Sequence, residues 1–197
     1  QEGQADLARA RFTELLEIGG SLGLDQPQGI ASTNLAILDR QEGLLESART
    51  RYEFAVGIWR RTGDRVQLAI SLNALGGLHI VQGHPELAMP CMVEALEASL
   101  EVGSRITQAD SFDVSGTTFL KLGELELAAR TFGAAAALRA DGVPPREGRD
   151  IEWYAEYEQE LEAALGSPRF EELRDAANDP DLVSREVLAA FRAWIRE

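Results

Sequence analysis

The sequence predicts an all-α fold, a solenoid of helical hairpins that repeats every 40 residues and ends in capping helices. Three observations predict it. Glycine recurs at a spacing of 40, at Gly3, Gly43, Gly83 and Gly123. Between these glycines, apolar residues recur every three or four positions, which is the period of an amphipathic helix. Small residues also recur where the two helices of a hairpin would cross.

The first half of each repeat predicts a first helix. A second glycine row marks the turns that precede these helices, at Gly23, Gly63 and Gly103. Residues with the spacing of a helix-capping box follow, namely Asp25 with Gln28, Asp64 with Gln67, and Ser104 without its acidic or amide partner. The first helices carry a row of small residues, at Ala36, Gly76 and Gly116. These signals predict first helices that start after residues 25, 64 and 104 and allow a second helix to approach closely.

The second half of each repeat predicts a second helix that packs back on the first. Its alanine row is Ala8, Ala48, Ala88 and Ala128. Four residues later stands a row of large side chains, Phe12, Tyr52, Met92 and Phe132, and three residues further the row Leu15, Ala55, Ala95 and Ala135. The alanines let the helices touch while the large side chains fill the space beside them.

These rows resemble the tetratricopeptide repeat, whose hairpins carry a small residue, an early alanine, an aromatic residue and another alanine in this order. The resemblance covers residues 1–142. It implies a right-handed α-α superhelix with a half repeat over 1–28 and repeats over 29–68, 69–108 and 109–142. Two features depart from the family: the unit has 40 residues rather than about 34, and Arg60 and Leu100 replace its closing proline.

The N-terminal half repeat predicts a second helix, from Ala5 to Leu22, whose first helix is missing. The sequence starts at Gln1 with neither an initiator methionine nor a signal peptide, so we expect a longer protein to supply that helix. The alternative is that the unpaired face docks on a second copy and forms a homodimer.

The period ends after Gly142, where Val143-Pro144-Pro145 stops the helix, and residues 143–197 predict three capping helices that continue the same domain. The first runs from about Asp150 to Leu165 and has an apolar stripe of Ile151, Tyr154, Leu161 and Leu165. Ser167-Pro168 predicts the start of the second, to about Ala177, and Ser184 is the predicted cap of the third.

A second resemblance concerns residues 120–197. The run from Ala128 to Arg139, with Pro144-Pro145, Tyr157-Glu158 and the segment Ala163–Gly166 before Phe170, resembles the C-terminal repeat region of bacterial LuxR-type and SARP-type transcriptional regulators with a signal-transduction ATPase module. Asn178-Asp179 stands where that family commonly has glycine. The resemblance implies a sensor or scaffold arm whose partners include upstream domains of the same polypeptide. The alternative is a free-standing peptide-sensing or scaffold protein.

Composition excludes several classes of partner. The formal net charge is −14 and Lys121 is the only lysine, so we expect no direct contact with nucleic acid or an anionic membrane surface. No apolar run approaches the roughly 20 residues of a membrane span, and the single cysteine, Cys91, cannot form an internal disulfide. We therefore expect a cytoplasmic protein.

Residues that could carry chemistry are few. His79, His84 and Cys91 do not have a recognised zinc spacing, and packing roles for His79 and Cys91 and a helix-start role for His84 fit better. The acidic run from Glu147 to Glu162 is typical of a solvated helix face. Pro90 should bend its helix because it removes a backbone donor. We predict no catalytic residue, metal or cofactor; an enzyme is the alternative of another class.

The first helices of such a solenoid line its concave wall, which is the natural site for a protein or peptide partner. The wall positions are Ile30, Thr33, Ile37, Arg40, Ile70, Asn73, Gly77, Ile80, Asp110, Asp113, Thr117 and Leu120, with Asn34 and Lys121 at the edge. Asn73 could satisfy a peptide backbone, or it could bond within the solenoid. The isoleucines opposite Asp110 and Asp113 predict a ligand that is apolar at one end and basic at the other.

Overall fold

A computed structural model describes residues 2–146 and 149–196. Within these residues the chain forms ten α-helices and no strand, which confirms the predicted all-α solenoid of helical hairpins. The helices are α1 (Glu2–Leu22), α2 (Asp25–Gln41), α3 (Leu45–Thr62), α4 (Arg65–Val81), α5 (Pro85–Glu101), α6 (Arg105–Leu122), α7 (Leu125–Ala140), α8 (Arg149–Leu165), α9 (Ser167–Ala176) and α10 (Pro180–Trp194). No helix in the described segments is long and apolar enough to cross a membrane.

The repeat consists of three hairpins, α2 with α3, α4 with α5, and α6 with α7, and consecutive hairpins stack through α3 on α4 and α5 on α6. Glycines of both predicted rows form the turns, with positive φ values between 65° and 85° that other residues rarely adopt. Gly3 is different because α1 already begins at Glu2, so this glycine lies inside a helix rather than in a turn.

Small residues allow close contact inside the hairpins, as predicted. A Cβ atom added to Gly76 would lie 2.5 Å from the Met92 methyl group, and one added to Gly116 would lie 3.1 Å from the Phe132 ring. Ala36 takes the same place in the first hairpin and is fully buried, as is Tyr52. The second helices therefore fill space that a larger side chain on the first helices would occupy.

Two of the three predicted caps on the first helices are confirmed. The Asp64 carboxylate accepts a hydrogen bond from the Gln67 amide, and the Ser104 hydroxyl accepts one from the Thr107 amide. The predicted capping box at Asp25 is wrong. Leu24 holds the cap position without a side-chain bond, and Asp25 instead accepts from the Arg61 guanidinium at 2.5 Å.

The three C-terminal helices are present and α9 starts at Ser167 as predicted, but the two predicted cap residues, Ser167 and Ser184, are wrong. Gly166 holds the cap position of α9, and the Ser167 hydroxyl donates to the Glu162 carboxylate. Asp179 caps α10 by accepting from two backbone amides, so Ser184 lies within that helix, where it is fully buried. In α8 the predicted stripe buries Tyr154 and Leu161 but leaves Ile151 exposed.

The C-terminal helices close the end of the solenoid. α9 and α10 both pack on α7, and α10 also reaches α5. Phe191 of α10 stacks on Phe119 of α6 with ring centroids 4.2 Å apart. Gly133 lets the backbone of α9 approach α7, because a Cβ atom there would lie 2.3 Å from the Arg174 carbonyl oxygen.

Candidate partner-binding surface

The fourteen predicted wall positions lie on α2, α4 and α6, and we call their surface the first-helix wall. Half of them are buried by neighbouring helices and are not free to meet a partner. These are Thr33, Asn73, Gly77, Ile80, Asp113, Thr117 and Leu120. The other seven are partly or fully exposed: Ile30, Asn34, Ile37, Arg40, Ile70, Asp110 and Lys121. The fourteen positions therefore lie on the predicted first helices, but only half of them are open to a partner.

Hydrogen bonds between hairpins explain part of this burial. The Thr33 and Ser71 hydroxyls lie 3.1 Å apart, and one repeat later the Ser111 hydroxyl donates to the Asn73 carbonyl oxygen at 3.0 Å. The Asn73 amide nitrogen donates to the Thr107 carbonyl at 3.4 Å. Of the two roles considered for Asn73, the structure therefore favours the internal one, because both ends of its carboxamide already have partners in the solenoid.

Asp113 anchors a buried ion cluster. Asp113 is 1% exposed, and its carboxylate accepts hydrogen bonds from Arg139 at 2.5 Å and from Arg146 at 2.7 Å. Arg146 also donates to Glu158 at 2.7 Å. Burial acts to lower the pKa of Arg146, but its bonds and charge interactions with Asp113 and Glu158 together outweigh burial and raise it. The expectation that Asp113 offers a free carboxylate to a basic ligand is wrong, because two arginines of the same chain occupy it.

α8 lies over the first-helix wall at the second and third repeats. A Cβ atom added to Gly77 would lie 3.7 Å from the Trp153 ring. The Lys121 ammonium donates to Glu160 at 2.7 Å and lies 4.8 Å from the centre of the Tyr157 ring. These contacts close part of the predicted surface. The aromatic residues of α8 were visible in the sequence, but their place on the wall was not predicted.

The accessible wall residues on α2 and at the start of α4 form the open patch, which consists of Ile30, Asn34, Ile37, Arg40 and Ile70. Asp110 and Lys121 on α6 are exposed as well, but they pair with Arg139 and Glu160. Ile70 is the most exposed of the open patch's three isoleucines at 36%, whereas Ile30 and Ile37 are half-buried. Arg40 lies one turn after Ile37, and among residues 2–146 and 149–196 it forms no ion pair. The open patch thus combines apolar area with one uncompensated positive charge.

A separate cleft of about 970 Å³ lies between α3, the end of α4 and α5. Its lining includes His79, His84 and Cys91, as well as Pro90, through which α5 continues. Among the described residues no three histidine, cysteine or acidic side chains are placed to hold a metal ion. Burial lowers the pKa of His79, and its buried Nδ1 atom has no hydrogen-bond partner in the part of the chain that the structure describes.

The acidic run on α8 is partly engaged. Glu152 and Glu156 are exposed, as predicted for a solvated face, whereas Glu158 and Glu160 pair with Arg146 and Lys121. Glu147, where the predicted run begins, lies outside the described residues.

Cys91 is expected to resist alkylation in the folded protein. Burial raises the pKa of its thiol to about 12 from the ordinary 9.0, so at pH 8 its thiolate fraction falls about a thousandfold. The rate of iodoacetamide labelling, followed by mass spectrometry, should therefore be far slower than in the chain denatured with guanidinium. Equal rates in the two states would contradict this burial.

Part of the chain matches a known protein family. Residues 27–101 match the model of the tetratricopeptide repeat, a segment that runs from α2 to the end of α5. No curated protein matches the chain. Tetratricopeptide repeats mediate protein–protein interactions and are typically non-catalytic.

Proposed function

We propose, with the tetratricopeptide repeat of residues 27–101 as the premise, that this chain is a non-catalytic module that binds a protein or peptide. The open patch is the binding surface. The observation that carries the proposal is the partial exposure of Ile37 and the exposure of Ile70 on the first helices of adjacent hairpins, beside Arg40, which has no ion pair among the described residues. Ile30 and Ile37 are only partly buried against the core and Ile70 is exposed, so burying their remaining apolar surface against a partner would be favourable.

We propose further that the chain is the C-terminal sensor or scaffold arm of a larger bacterial transcriptional regulator and acts in the cytoplasm. The residues that support this role are those of the run Ala128–Arg139 and of α8 and α9 that resemble such regulators. A free-standing scaffold protein with the same binding surface is the second candidate. Detection of nucleotide-binding and DNA-binding domains in the full reading frame would distinguish the two.

The outer face of α1 supports contact with a further helix. Ala8, Phe12 and Leu15 are only half-buried, although the side chains at the equivalent places in α3, α5 and α7 are almost fully buried. Leu7 and Ile18 on the same helix are 59% and 47% exposed. We propose that this face packs on upstream parts of the same polypeptide, with a homodimer as the alternative.

The binding role can be tested with a displayed library of random peptides. Wild-type protein should enrich a set of peptides, and Ile70→Glu should abolish that enrichment because it places a charge in the apolar part of the open patch. Phe54→Glu is the matched control, since Phe54 is an exposed apolar residue on α3 with 47% exposure against 36% for Ile70. Thermal melting should show that both variants stay folded.

Two outcomes would count against the proposed function. The first is that no peptide is enriched by the wild-type protein. The second is that Ile70→Glu retains the enriched peptides, or that Phe54→Glu removes them as well, because either result would show that binding does not depend specifically on the open patch.

A further inference from the structure

The chain's own α8 shows which chemistry the first-helix wall accepts. α8 is an amphipathic helix that places an aromatic ring, Trp153, over Gly77 of the wall. Its glutamates meet the cations beside it, since Glu160 accepts from Lys121 at 2.7 Å and Glu158 from Arg146 at 2.7 Å. At the second and third repeats the wall is therefore covered by a helix that combines aromatic and acidic side chains.

At the first two repeats the open patch offers what such a helix would bind, namely apolar side chains and a cation. Ile30, Ile37 and Ile70 supply apolar area, and Arg40 supplies a cation near the end of α2, as Lys121 does near the end of α6. Lys121 already has its glutamate, whereas Arg40 has no ion pair among the described residues.

The helices that form the open patch, α2 and α4, offer no free carboxylate that would compete with a partner for Arg40. α4 contains no acidic residue. In α2, Asp25 is paired with Arg61, and Asp39 is buried between Arg9 and Arg51. Distant charges of this acidic chain are largely screened, because the Debye length is about 8 Å at physiological ionic strength.

We infer that the open patch binds an acidic amphipathic helix of a partner protein, with apolar side chains against the isoleucines and a glutamate on Arg40. The partner helix lies beside α8, which stays in place. The inference rests on the proposed function and narrows it. It also reverses the charge expected from the sequence, because Asp113, which suggested a basic ligand, is neutralised by Arg139 and Arg146.

A labelled peptide with the sequence of residues 149–166 is the probe for this inference. Fluorescence polarisation should show that it binds the full chain, and Arg40→Glu should weaken binding about tenfold, equivalent to about 1.4 kcal/mol. Arg185→Glu is the matched control, because Arg185 is an exposed arginine on α10 without an ion pair among the described residues. It should leave the affinity unchanged. A peptide with all its glutamates replaced by glutamine should bind the wild-type chain about as weakly as the original peptide binds the Arg40→Glu variant.

Other results would overturn the inference. If Lys121→Glu weakens the peptide more than Arg40→Glu does, the peptide has displaced α8 rather than occupied the open patch. If a peptide with lysine at every glutamate position binds more tightly, and Ile70→Glu still abolishes that binding, the acidic partner is wrong while the proposed function stands. If neither peptide nor any library peptide binds, both fail.

Discussion

Asp113→Asn is expected to lower the free energy of unfolding by about 3 kcal/mol, the lower end of the range for breaking a buried ion pair. The substitution keeps the shape of the side chain but leaves Arg139 and Arg146 without their shared counter-charge. Both arginine side chains are mostly buried, at 15% and 18% exposure. Urea unfolding followed by circular dichroism would measure the change.

The neighbouring residue Asp110 provides the control for Asp113. Its side chain is 51% exposed and lies 3.8 Å from Arg139, so Asp110→Asn should change the free energy of unfolding by less than about 0.5 kcal/mol. Because Arg146 also pairs with Glu158 of α8, loss of Asp113 should loosen α8 and increase its amide hydrogen exchange. Equal destabilisation by the two substitutions would show that the cluster around Asp113 does not anchor the fold.

Gly133→Ala is expected to destabilise the protein by about 3 kcal/mol, at the upper end of the cost of overpacking. The added methyl group would lie 2.3 Å from the carbonyl oxygen of Arg174 and 2.9 Å from its Cα atom. These are backbone atoms of α9, so no side-chain rotation relieves the contact and α9 has to move away from α7. A thermal melt would give the stability, and hydrogen exchange over residues 167–176 would detect the displacement.

Gly57→Ala gives the matched comparison for Gly133→Ala. Gly57 also lies inside a helix, α3, but a Cβ atom added there would meet nothing within 4 Å. This substitution should therefore stabilise the protein by about 1 kcal/mol, because alanine has the higher helix propensity. The opposite signs of the two stability changes would separate the effect of close helix packing from that of helix propensity. A stabilising Gly133→Ala would falsify the close approach of α9 to α7.

The local sequence predicted a helix cap correctly where the capping side chain had only one hydrogen-bond partner within reach. Asp64 and Ser104 cap their helices because the nearest free donors are amides of the same first turn. Asp25 has equivalent spacing, but Arg61, 36 residues later, reaches it from α3 and forms the stronger charged bond. At α10 both Asp179 and Ser184 are chemically suitable caps, and the start of the helix at Pro180 selects Asp179.

The sequence alone determined the hairpins, their turns and the helices that form the wall. It could do so because a left-handed turn requires glycine and a close helix crossing requires a small side chain, and both requirements recur every 40 residues. Only the tertiary structure decided where α8 lies and which wall residues stay open. Because Val143 to Arg146 form no helix, the repeat spacing does not fix where α8 docks. The position of α8 is fixed instead by ion pairs and aromatic contacts with residues 33 to 76 positions away in the sequence.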